Sequence, residues 1–362
     1  MSAPYDIVFV GLSLSSSWGN GHATTFRALI RGLHTHGQRV LFLERDVPWY
    51  ANNRDLPHPD FCTLAYYNSV DELIEKFGSQ LTSAGAVIVG SYVPDGVDVI
   101  DALERLKLNS WHFYDIDTPV TLAKLMRGDE EYLAKRQIPL FDSYFSFSGG
   151  PTLERLQGEF GAKRALPLYC SVDADRYGPT GEAPEWDLGY LGTYSVDRQP
   201  ILERLLLEPA RLLPQMRFVV AGSQFPGDIE WPENVERIEH LPPAEHRSFY
   251  NRQRFTLNVT RADMVAAGWS PSVRLFEAGA CGTPLISDIW TGLDQMFPAD
   301  SIVLARTSDD VVRTLEQTTA SERNAMAASA RRYVLAEHTG TARAGELLSM
   351  LGHERSTIRP SA

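Results

Sequence analysis

The stretch "SPSVRLFEAGACGTPLISD", residues 270–288, has the pattern of a buried helix that leads into a buried strand. Its first two helical turns carry Arg274 and Glu277. Burying a guanidinium or a carboxylate without a partner costs several kcal/mol. The two side chains could pair with each other across one helix turn, or both could bind a ligand. The stretch therefore predicts a helix and strand of an α/β fold, and with them a candidate binding site.

Short apolar runs, rich in β-branched and aromatic residues, recur along the whole chain and are separated by helix-length segments. Strands are predicted at 6–11, 39–44, 86–91, 111–116, 143–148 and 165–169 in the first half, and at 187–192, 217–222, 235–241, 255–260, 283–288 and 301–305 in the second. Strands that are apolar throughout indicate parallel sheets covered by helices on both faces. We therefore expect an α/β protein with two Rossmann-like, doubly wound domains.

The segment between the two sets of strands is rich in Pro, Gly and charge and has no period, which is typical of a linker. We predict an N-terminal domain at 1–170, a linker at 171–186 and a C-terminal domain at 187–339, with a last helix at about 340–362 that packs back on the first domain. Ligands of such sheets bind beyond the carboxyl ends of the strands. Two domains that face each other across a cleft would then serve a two-substrate enzyme.

Bulk composition excludes several classes of protein. The 362 residues have a formal net charge of −12, which argues against a nucleic-acid partner. We find neither a signal peptide nor an apolar run long enough for an integral membrane segment. The three cysteines, Cys62, Cys170 and Cys281, match no metal-binding spacing. We expect a cytoplasmic protein without a structural metal.

The start of the helix at 270–288 is the first candidate for a phosphate site. Either Ser270 is the N-cap, or the helix begins later, at Ser272. In both cases the exposed N–H groups, that of Val273 among them, and the positive end of the helix dipole suit an anion. Arg274 adds a full positive charge, and Glu277 could accept hydrogen bonds from two adjacent hydroxyls of a ribose.

The turn after the first strand of the second half is another candidate. Gly192 and Thr193 form a tight turn at a strand end, where a backbone can approach a ligand closely. Arg198 follows near the start of the next helix and is a candidate for a diphosphate. The alternative is an ordinary solvated arginine.

In the first half, the loop "SSSWGNGHATTFR" at 15–27 lies between a strand and its helix. Gly19, Asn20 and Gly21 would let the backbone approach a sugar or a diphosphate, and His22 could contact either. The alternative for His22 is a local hydrogen bond at the helix start.

The segment "FYDIDTPVTL" places Asp115 and Asp117 at a strand end, where residues i and i+2 project to the same side. Two carboxylates there could grip sugar hydroxyls, and one with a raised pKa could act as a general base. The alternative is an Asx-type cap before Thr118. The spacing is also a formal DxD match, but we expect no metal because the diphosphate is already served by the second domain.

The second half resembles the CgeB-like glycosyltransferases, a branch near glycosyltransferase family 4 with the GT-B fold. The likeness rests on "FTLNVTRADMVAAGWSPSVRLFEAGACGTPLISD", "YLGTYSVDRQ" and "IEHLPPAEHRSFY". It implies a metal-independent, retaining transfer of a hexosyl group from a nucleotide-sugar, with a UDP-sugar favoured and no cofactor besides this co-substrate.

The resemblance also implies roles for individual residues. Glu277 would bind the ribose, Arg198 and the helix start at 270–274 the diphosphate, and the segment Glu239–Leu241, with His240, the base. The first acidic residue of the family 4 pair is missing, because Trp269 stands in its place. No role of that residue is carried over.

Two other functions stay open on the sequence. An NAD-dependent oxidoreductase is suggested by "GNGHAT" after the first strand and by Glu44 at the end of the second. A non-catalytic nucleotide- or sugar-binding protein on the same fold is the third possibility. The acceptor is not readable from the sequence; the aromatic segment 45–61, with Trp49 and Tyr50, could form an acceptor wall or a packed surface loop.

Overall fold

The computed structural model describes residues 4–18 and 21–357, with side chains as far as residue 352. The chain divides into two compact units. The first runs up to Ser171 and is joined by the chain from Thr339 onward, and the second is Val172–His338.

The first unit is a parallel seven-stranded sheet in the order β3-β2-β1-β4-β5-β6-β7. Its strands are β1 (Ile7–Gly11), β2 (Val40–Arg45), β3 (Thr63–Tyr67), β4 (Ala86–Gly90), β5 (Trp111–Asp115), β6 (Ser143–Ser146) and β7 (Ala165–Pro167). Its helices are α1 (Gly21–Thr35), α2 (Pro48–Ala51), α3 (Val70–Ser83), α4 (Gly96–Glu104), α5 (Thr118–Met126) and α6 (Pro151–Gly158), with a 3-10 turn at Lys135–Leu140. The order of strands reverses between β1 and β4, which makes the sheet doubly wound.

The second unit is a parallel six-stranded sheet in the order β10-β9-β8-β11-β12-β13. Its strands are β8 (Trp186–Leu191), β9 (Phe218–Ala221), β10 (Val235–Ile238), β11 (Gln253–Asn258), β12 (Leu285–Ser287) and β13 (Ile302–Leu304). Its helices are α7 (Gln199–Leu202), which continues through a π turn at Glu203–Leu207 into α8 (Glu208–Leu212), then α9 (His246–Asn251), α10 (Ala262–Ala267), α11 (Val273–Cys281), α12 (Leu293–Met296), α13 (Ser308–Gln317) and α14 (Ala320–Glu337). A 3-10 turn at Pro243–Glu245 precedes α9.

The predicted α/β class with two parallel sheets is confirmed, and the one strand that the apolar runs did not indicate is β3. In this edge strand, "TLAYY", only Tyr67 is buried, and the other four residues are exposed or half-buried. Within the described residues, we find no helix with the length and apolar character needed to cross a membrane.

The last helix, α15 (Gly340–Thr357), packs on α1 within the first unit. Two glycines allow the helices to touch: a Cβ on Gly32 would lie 2.1 Å from the carbonyl oxygen of Gly340, and one on Gly340 would lie 2.1 Å from that of Ala28. Beside this contact, Nε2 of His36 lies 3.0 Å from the carbonyl oxygen of Thr341 and donates to it. The chain thus returns to the first unit through a backbone-to-backbone helix contact.

Replacing Gly32 with alanine should separate α1 from α15 and lower the free energy of unfolding of the first unit by about 2 kcal/mol, the typical cost of overpacking. Gly78 is a matched control, since a Cβ there would meet only a methyl group of Ile74 at 3.9 Å. Gly78→Ala should stabilise α3 by about 0.5–1 kcal/mol. Denaturant titration of both variants checks the pair, and equal effects of the same sign would contradict the helix contact.

Candidate functional site

The candidate donor site lies at the carboxyl edge of the second sheet, where the strand order reverses between β8 and β11. These two strands are neighbours in the sheet. The loop that follows β8 carries Gly192, Thr193 and Arg198, and the chain after β11 leads to the first turn of α11. A reversal of strand order opens a crevice in which doubly wound folds bind their ligands.

The start of α11 is at Val273, with Ser272 as N-cap, so the later of the two expected helix starts is correct. The hydroxyl of Ser272 makes no capping hydrogen bond and donates instead to Oδ1 of Asn258 at 2.8 Å. Ser270 is fully buried, and its hydroxyl donates to the carbonyl of Gly268 at 2.8 Å. The first N–H groups of α11, next to the half-buried Val273, are therefore left without a side-chain cap.

Arg274 is held by neutral acceptors alone. Its Nε donates to the carbonyl of Leu191 at 2.7 Å, and its Nη1 donates to Oδ1 of Asn258 at 2.8 Å. The guanidinium lies over the ring of Tyr190, with its carbon 4.9 Å from the ring centre. The remaining nitrogen, Nη2, has no acceptor among the residues that the structure describes. The residue is 8% exposed, and its charge makes no ion pair with a carboxylate of the described residues, although it opposes the rise that burial causes in the pKa of the nearby carboxyls of Glu277 and Asp288.

Arg198 reaches the same loop from the other end. Its Nη2 donates to the carbonyl of Thr193 at 2.8 Å, two residues from the carbonyl that Arg274 binds. Its Nε is buried and has no acceptor among the described residues. Burial, and then the positive charges of Arg274 and Arg261, lower the pKa of Arg198, against an opposing effect of Tyr190 and Asp197. Both arginines thus lie close together without an ion pair in the described part of the chain.

Gly192 is required at its position because Arg274 occupies the space beside it. A Cβ on Gly192 would lie 2.9 Å from Nη2 of Arg274 and 2.6 Å from the hydroxyl of Tyr190. Thr193, the next residue, is exposed. Nη2 of Arg274 therefore lies beside the backbone of Gly192, where no side chain intervenes.

Glu277 does not pair with Arg274. It is 6% exposed, and its Oε2 accepts a hydrogen bond from the hydroxyl of Tyr250 at 3.0 Å. Burial raises the pKa of Glu277, and this rise is opposed by the charge of His246, by hydrogen bonds from Tyr177 and Tyr250, and by the charge of Arg274. The alternative of a mutual Arg274–Glu277 ion pair is wrong, and the carboxylate is instead held by two tyrosine hydroxyls.

The remaining donor-side candidates lie after β10. His240 is exposed, and Leu241 is half-buried. The carbonyl of Leu241 accepts a hydrogen bond from Nε2 of His246 at 3.3 Å, so one of its two lone pairs is already used. The segment 239–241 follows the strand next to β9, two strands away from Gly192.

Trp269 occupies the place of the missing acidic residue in a left-handed conformation, with φ of 41°. Its N–H donates to the carbonyl of Thr291 at 2.8 Å, and its ring covers Gly292, where a Cβ would lie 2.5 Å from the indole. Trp269, four residues before α11, is thus fixed by packing against the loop before α12.

The first unit has its own cluster of polar side chains at the reversal between β1 and β4. The ring of His22, in the first turn of α1, meets the ring of Tyr92 edge-on at 5.0 Å. The hydroxyl of Tyr92 donates to Oδ2 of Asp117 at 3.2 Å. Burial lowers the pKa of His22 to about 4, so its imidazole is neutral near pH 7. His22, Tyr92 and Asp117 therefore form one contiguous group.

Asp115 and Asp117 differ sharply in their surroundings. β5 ends at Asp115, and Asp117 is the residue before α5, with φ of −144° and ψ of 45°. The same-side expectation assumed a strand that continues to Asp117, and it does not hold here. Asp117 is half-buried and makes no capping hydrogen bond with its side chain, whereas Asp115 is 0% exposed.

The carboxylate of Asp115 is fully used inside the unit. Oδ2 accepts a hydrogen bond from Tyr144 at 2.6 Å, and Oδ1 accepts from Thr121 at 2.8 Å and from the N–H of Asp117 at 3.1 Å. Burial raises the pKa of Asp115 to about 6, although these hydrogen bonds oppose the rise. The Asx-type alternative is therefore realised by Asp115, whose side chain fixes the backbone of Asp117.

The Gly-rich loop is described only in part. Gly19 and Asn20 lie outside the described residues, and Gly21 is exposed at the start of α1. Glu44, which the oxidoreductase alternative placed on a ribose, is fully buried. It accepts hydrogen bonds from the N–H groups of Leu14 and Ser15 at 2.7 and 2.9 Å and from the hydroxyl of Ser15 at 2.6 Å. That expectation for Glu44 is corrected, because its carboxylate is occupied by the loop before α1.

Sequence reasoning missed the residues that hold these groups in place. Asn258 ends β11 and binds both Ser272 and Arg274, and a polar residue at the end of an apolar strand was the available signal. The tyrosines Tyr92, Tyr144, Tyr177 and Tyr250 are far along the chain from the carboxylates that they contact, so no local pattern pointed to them.

Comparison with known proteins places this geometry in a class. Residues 198–349 match the family model described as "Glycosyl transferase-like". A comparison with curated protein sequences finds no match. HepE of Anabaena in complex with UDP is similar in structure at a TM-score of 0.70 and 12% identity, over 96% of this chain and 100% of that one.

Two other solved structures are similar to this chain. Sucrose-phosphate synthase of Thermosynechococcus elongatus matches at a TM-score of 0.67 and 13% identity, over 97% of this chain and 100% of that one. BGT of phage T4 with its UDP-glucose substrate matches at a TM-score of 0.60 and 10% identity, over 95% of this chain and 99% of that one. The fold is GT-B. The protein is a glycosyltransferase, and its domain match includes Arg198, Arg274 and Glu277.

The burial of Asp115 predicts a specific pH dependence of stability. Its pKa is about 6 in the folded protein against an ordinary 3.8, so the folded state binds more protons in this interval and wild-type stability falls as the pH rises through it. Asp115→Asn does not titrate. The difference in free energy of unfolding, variant minus wild type, should therefore increase by about 2 kcal/mol between about pH 4 and pH 7. Denaturant titrations of both proteins test this, and a constant difference would contradict the buried carboxylate.

Proposed function

We propose that this protein is a CgeB-like glycosyltransferase that moves a hexosyl group from a UDP-sugar to an acceptor hydroxyl, with retention at the anomeric carbon and without a metal ion. One observation carries the proposal: Arg198 and Arg274 bind the same loop, at Thr193 and Leu191, and neither has a carboxylate partner within the described residues. A doubly charged diphosphate is the ligand that would complete this arrangement.

The donor would be bound by the second unit. Arg198, Arg274 and the free N–H groups at Ser272 and Val273 would hold the diphosphate, with Gly192 and Thr193 giving backbone access and Ser270 fixing the corner before α11. Glu277, oriented by Tyr177 and Tyr250, would accept hydrogen bonds from the ribose hydroxyls. His240 and Leu241 would meet the base. A uracil nucleotide is favoured because similar structures contain UDP in HepE and UDP-glucose in BGT.

The chemistry needs stabilisation of the leaving group. The bond between the anomeric carbon and the diphosphate oxygen breaks, and its electron pair stays on the diphosphate while the sugar becomes oxocarbenium-like. Preorganised donors at that oxygen stabilise the growing charge, and each contributes about 3 kcal/mol to the barrier reduction. The two guanidinium groups supply this positive charge, which is the role that a metal ion has in other enzymes of this chemistry.

The acceptor would be handled by the first unit, including the loop of Gly19, Asn20 and Gly21. The acceptor oxygen forms a bond to the anomeric carbon and passes its proton to the carboxylate of Asp117. In this single-step transfer, retention requires that the acceptor oxygen approaches the face from which the diphosphate departs. His22, neutral near pH 7, would hydrogen-bond the sugar. Asp115 contributes by fixing the backbone of Asp117, because it has no surface of its own.

We also propose a cytoplasmic location, which the wide spacing of the three cysteines supports, and no nucleic-acid partner, which the net charge of −12 supports.

Arg198→Ala gives the first test, because this side chain makes one hydrogen bond to the described residues and its loss should leave the fold intact. Loss of a charge-assisted hydrogen bond of about 1.5–3 kcal/mol should weaken UDP binding by roughly 10- to 100-fold. Isothermal calorimetry measures the effect. Arg274→Lys keeps the positive charge but loses the planar guanidinium, which can donate two parallel hydrogen bonds, so it should also weaken UDP binding.

The matched control is Arg204→Ala, an exposed arginine a few positions further along the same helical segment that has no partner among the described residues. It removes the same net charge and should leave UDP affinity unchanged. Equal losses of UDP affinity in the Arg198 and Arg204 variants would show that only the net charge matters. Unchanged UDP affinity in the Arg198 variant would contradict the proposed donor site.

Asp117→Asn tests the acceptor side. A missing general base should lower kcat by about 10²- to 10⁴-fold and leave UDP affinity as in wild type. Transfer from UDP-glucose to an accepted hydroxyl, followed by chromatography, measures turnover, and calorimetry measures donor affinity. Full turnover in this variant would contradict the assignment of Asp117.

A further inference from the structure

Two tryptophan side chains of the first unit are unusually exposed for their size: Trp18 at 64% and Trp49 at 59%. Each belongs to a loop at the carboxyl edge of the sheet, Trp18 after β1 and Trp49 in α2 after β2. Strands β1 and β2 are neighbours in parallel register, with Gly11 opposite Glu44, so the two loops start side by side. We call Trp18 and Trp49 together the tryptophan surface.

Hydrogen bonds join the two loops into one support. The hydroxyl of Ser16 donates to the carbonyl of Asn53 at 2.8 Å and accepts from the N–H of Trp18 at 3.3 Å. The amide of Asn53 donates to the carbonyl of Trp49 at 2.6 Å. A short chain of hydrogen bonds therefore connects the backbones of the two tryptophans.

Ion pairing beneath the loops makes this support rigid. Arg27 of α1 donates from Nη1 and Nη2 to the two oxygens of Asp55, each at 2.8 Å. Asp55 also accepts from the N–H and the hydroxyl of Ser17, both at 2.9 Å. Burial alone would raise the pKa of Asp55, but these hydrogen bonds and the charge of Arg27 hold that pKa well below its usual range. The exposure of the indoles is therefore a property of fixed loops, and Trp49 is further braced edge-on against Tyr50 at 5.8 Å.

We propose that the tryptophan surface binds a sugar ring of the acceptor, so that the acceptor is itself a saccharide or glycoside; this rests on the proposed function. An indole face packs well on the apolar C–H face of a pyranose, and burying a tryptophan gives a large gain per residue. The exposed side chains of Asn52 and His58 offer hydrogen bonds to ring hydroxyls at the margin. A membrane is the less suitable occupant, because the chain carries a net charge of −12.

The proposal is tested on the full chain with an immobilised array of neutral oligosaccharides. Wild type should bind a subset of these saccharides. The double variant Trp18→Ala/Trp49→Ala should bind the same saccharides at least tenfold more weakly. Trp49→Phe, which retains an aromatic face, should lose less than Trp49→Ala. The matched control Leu212→Ala removes another exposed apolar side chain, 57% exposed on α8 of the second unit, and should bind as wild type does.

Equal saccharide binding by wild type and the double variant would overturn the proposal, as would the absence of any saccharide binding by wild type. Sedimentation with phosphatidylcholine–phosphatidylglycerol vesicles, lost in the double variant, would overturn it in favour of a lipid surface. UDP calorimetry on the same proteins separates the two claims. Normal UDP binding without saccharide binding rejects the tryptophan surface alone, whereas saccharide binding without UDP binding rejects the proposed donor function.

Discussion

Like charges held together without an ion pair are costly, and the described part of the second unit holds two such charges. Arg198 and Arg274 donate to carbonyls two residues apart, and the charge of Arg274 lowers the pKa of Arg198 after burial itself. Every acceptor that holds them is a neutral carbonyl or amide. The protein therefore fixes the direction of both guanidinium groups while leaving their charges to be balanced by a ligand. The rest of the site follows from this constraint, including a glycine at position 192 and an uncapped start of α11.

Buried carboxylates have the complementary role in the first unit. Glu44 binds the loop before α1, and Asp115 binds Tyr144, Thr121 and the backbone of Asp117. Glu44 lies near the end of β2 and Asp115 ends β5, and both carboxylates accept hydrogen bonds from hydroxyl groups and from backbone N–H groups of neighbouring loops. Polar groups beyond these loops are thereby held in fixed positions at the carboxyl edge. Both units thus use charged side chains with neutral hydrogen-bond partners to position loops at the carboxyl edge of a sheet.

The sequence predicted twelve of the described strands because most of them are short apolar runs that helices cover on both faces, whereas the edge strand β3 has only Tyr67 buried. It also indicated Arg198, Arg274 and Glu277, since charges at a helix start beside a strand end stand out in an apolar segment. It could not predict that Tyr250 holds Glu277, or that Asp115 is enclosed while Asp117 is not. These facts depend on contacts between residues far apart in the chain and on where β5 ends.

The most direct measurement compares the affinities of UDP, UMP and uridine for the wild-type protein by isothermal calorimetry. If the two guanidinium groups form a diphosphate site, each added phosphate should tighten binding, and UDP should bind at least roughly 100-fold more tightly than uridine, equivalent to about 3 kcal/mol. The difference should also shrink as salt is added, since part of it is electrostatic. Equal affinities for uridine and UDP would contradict the account.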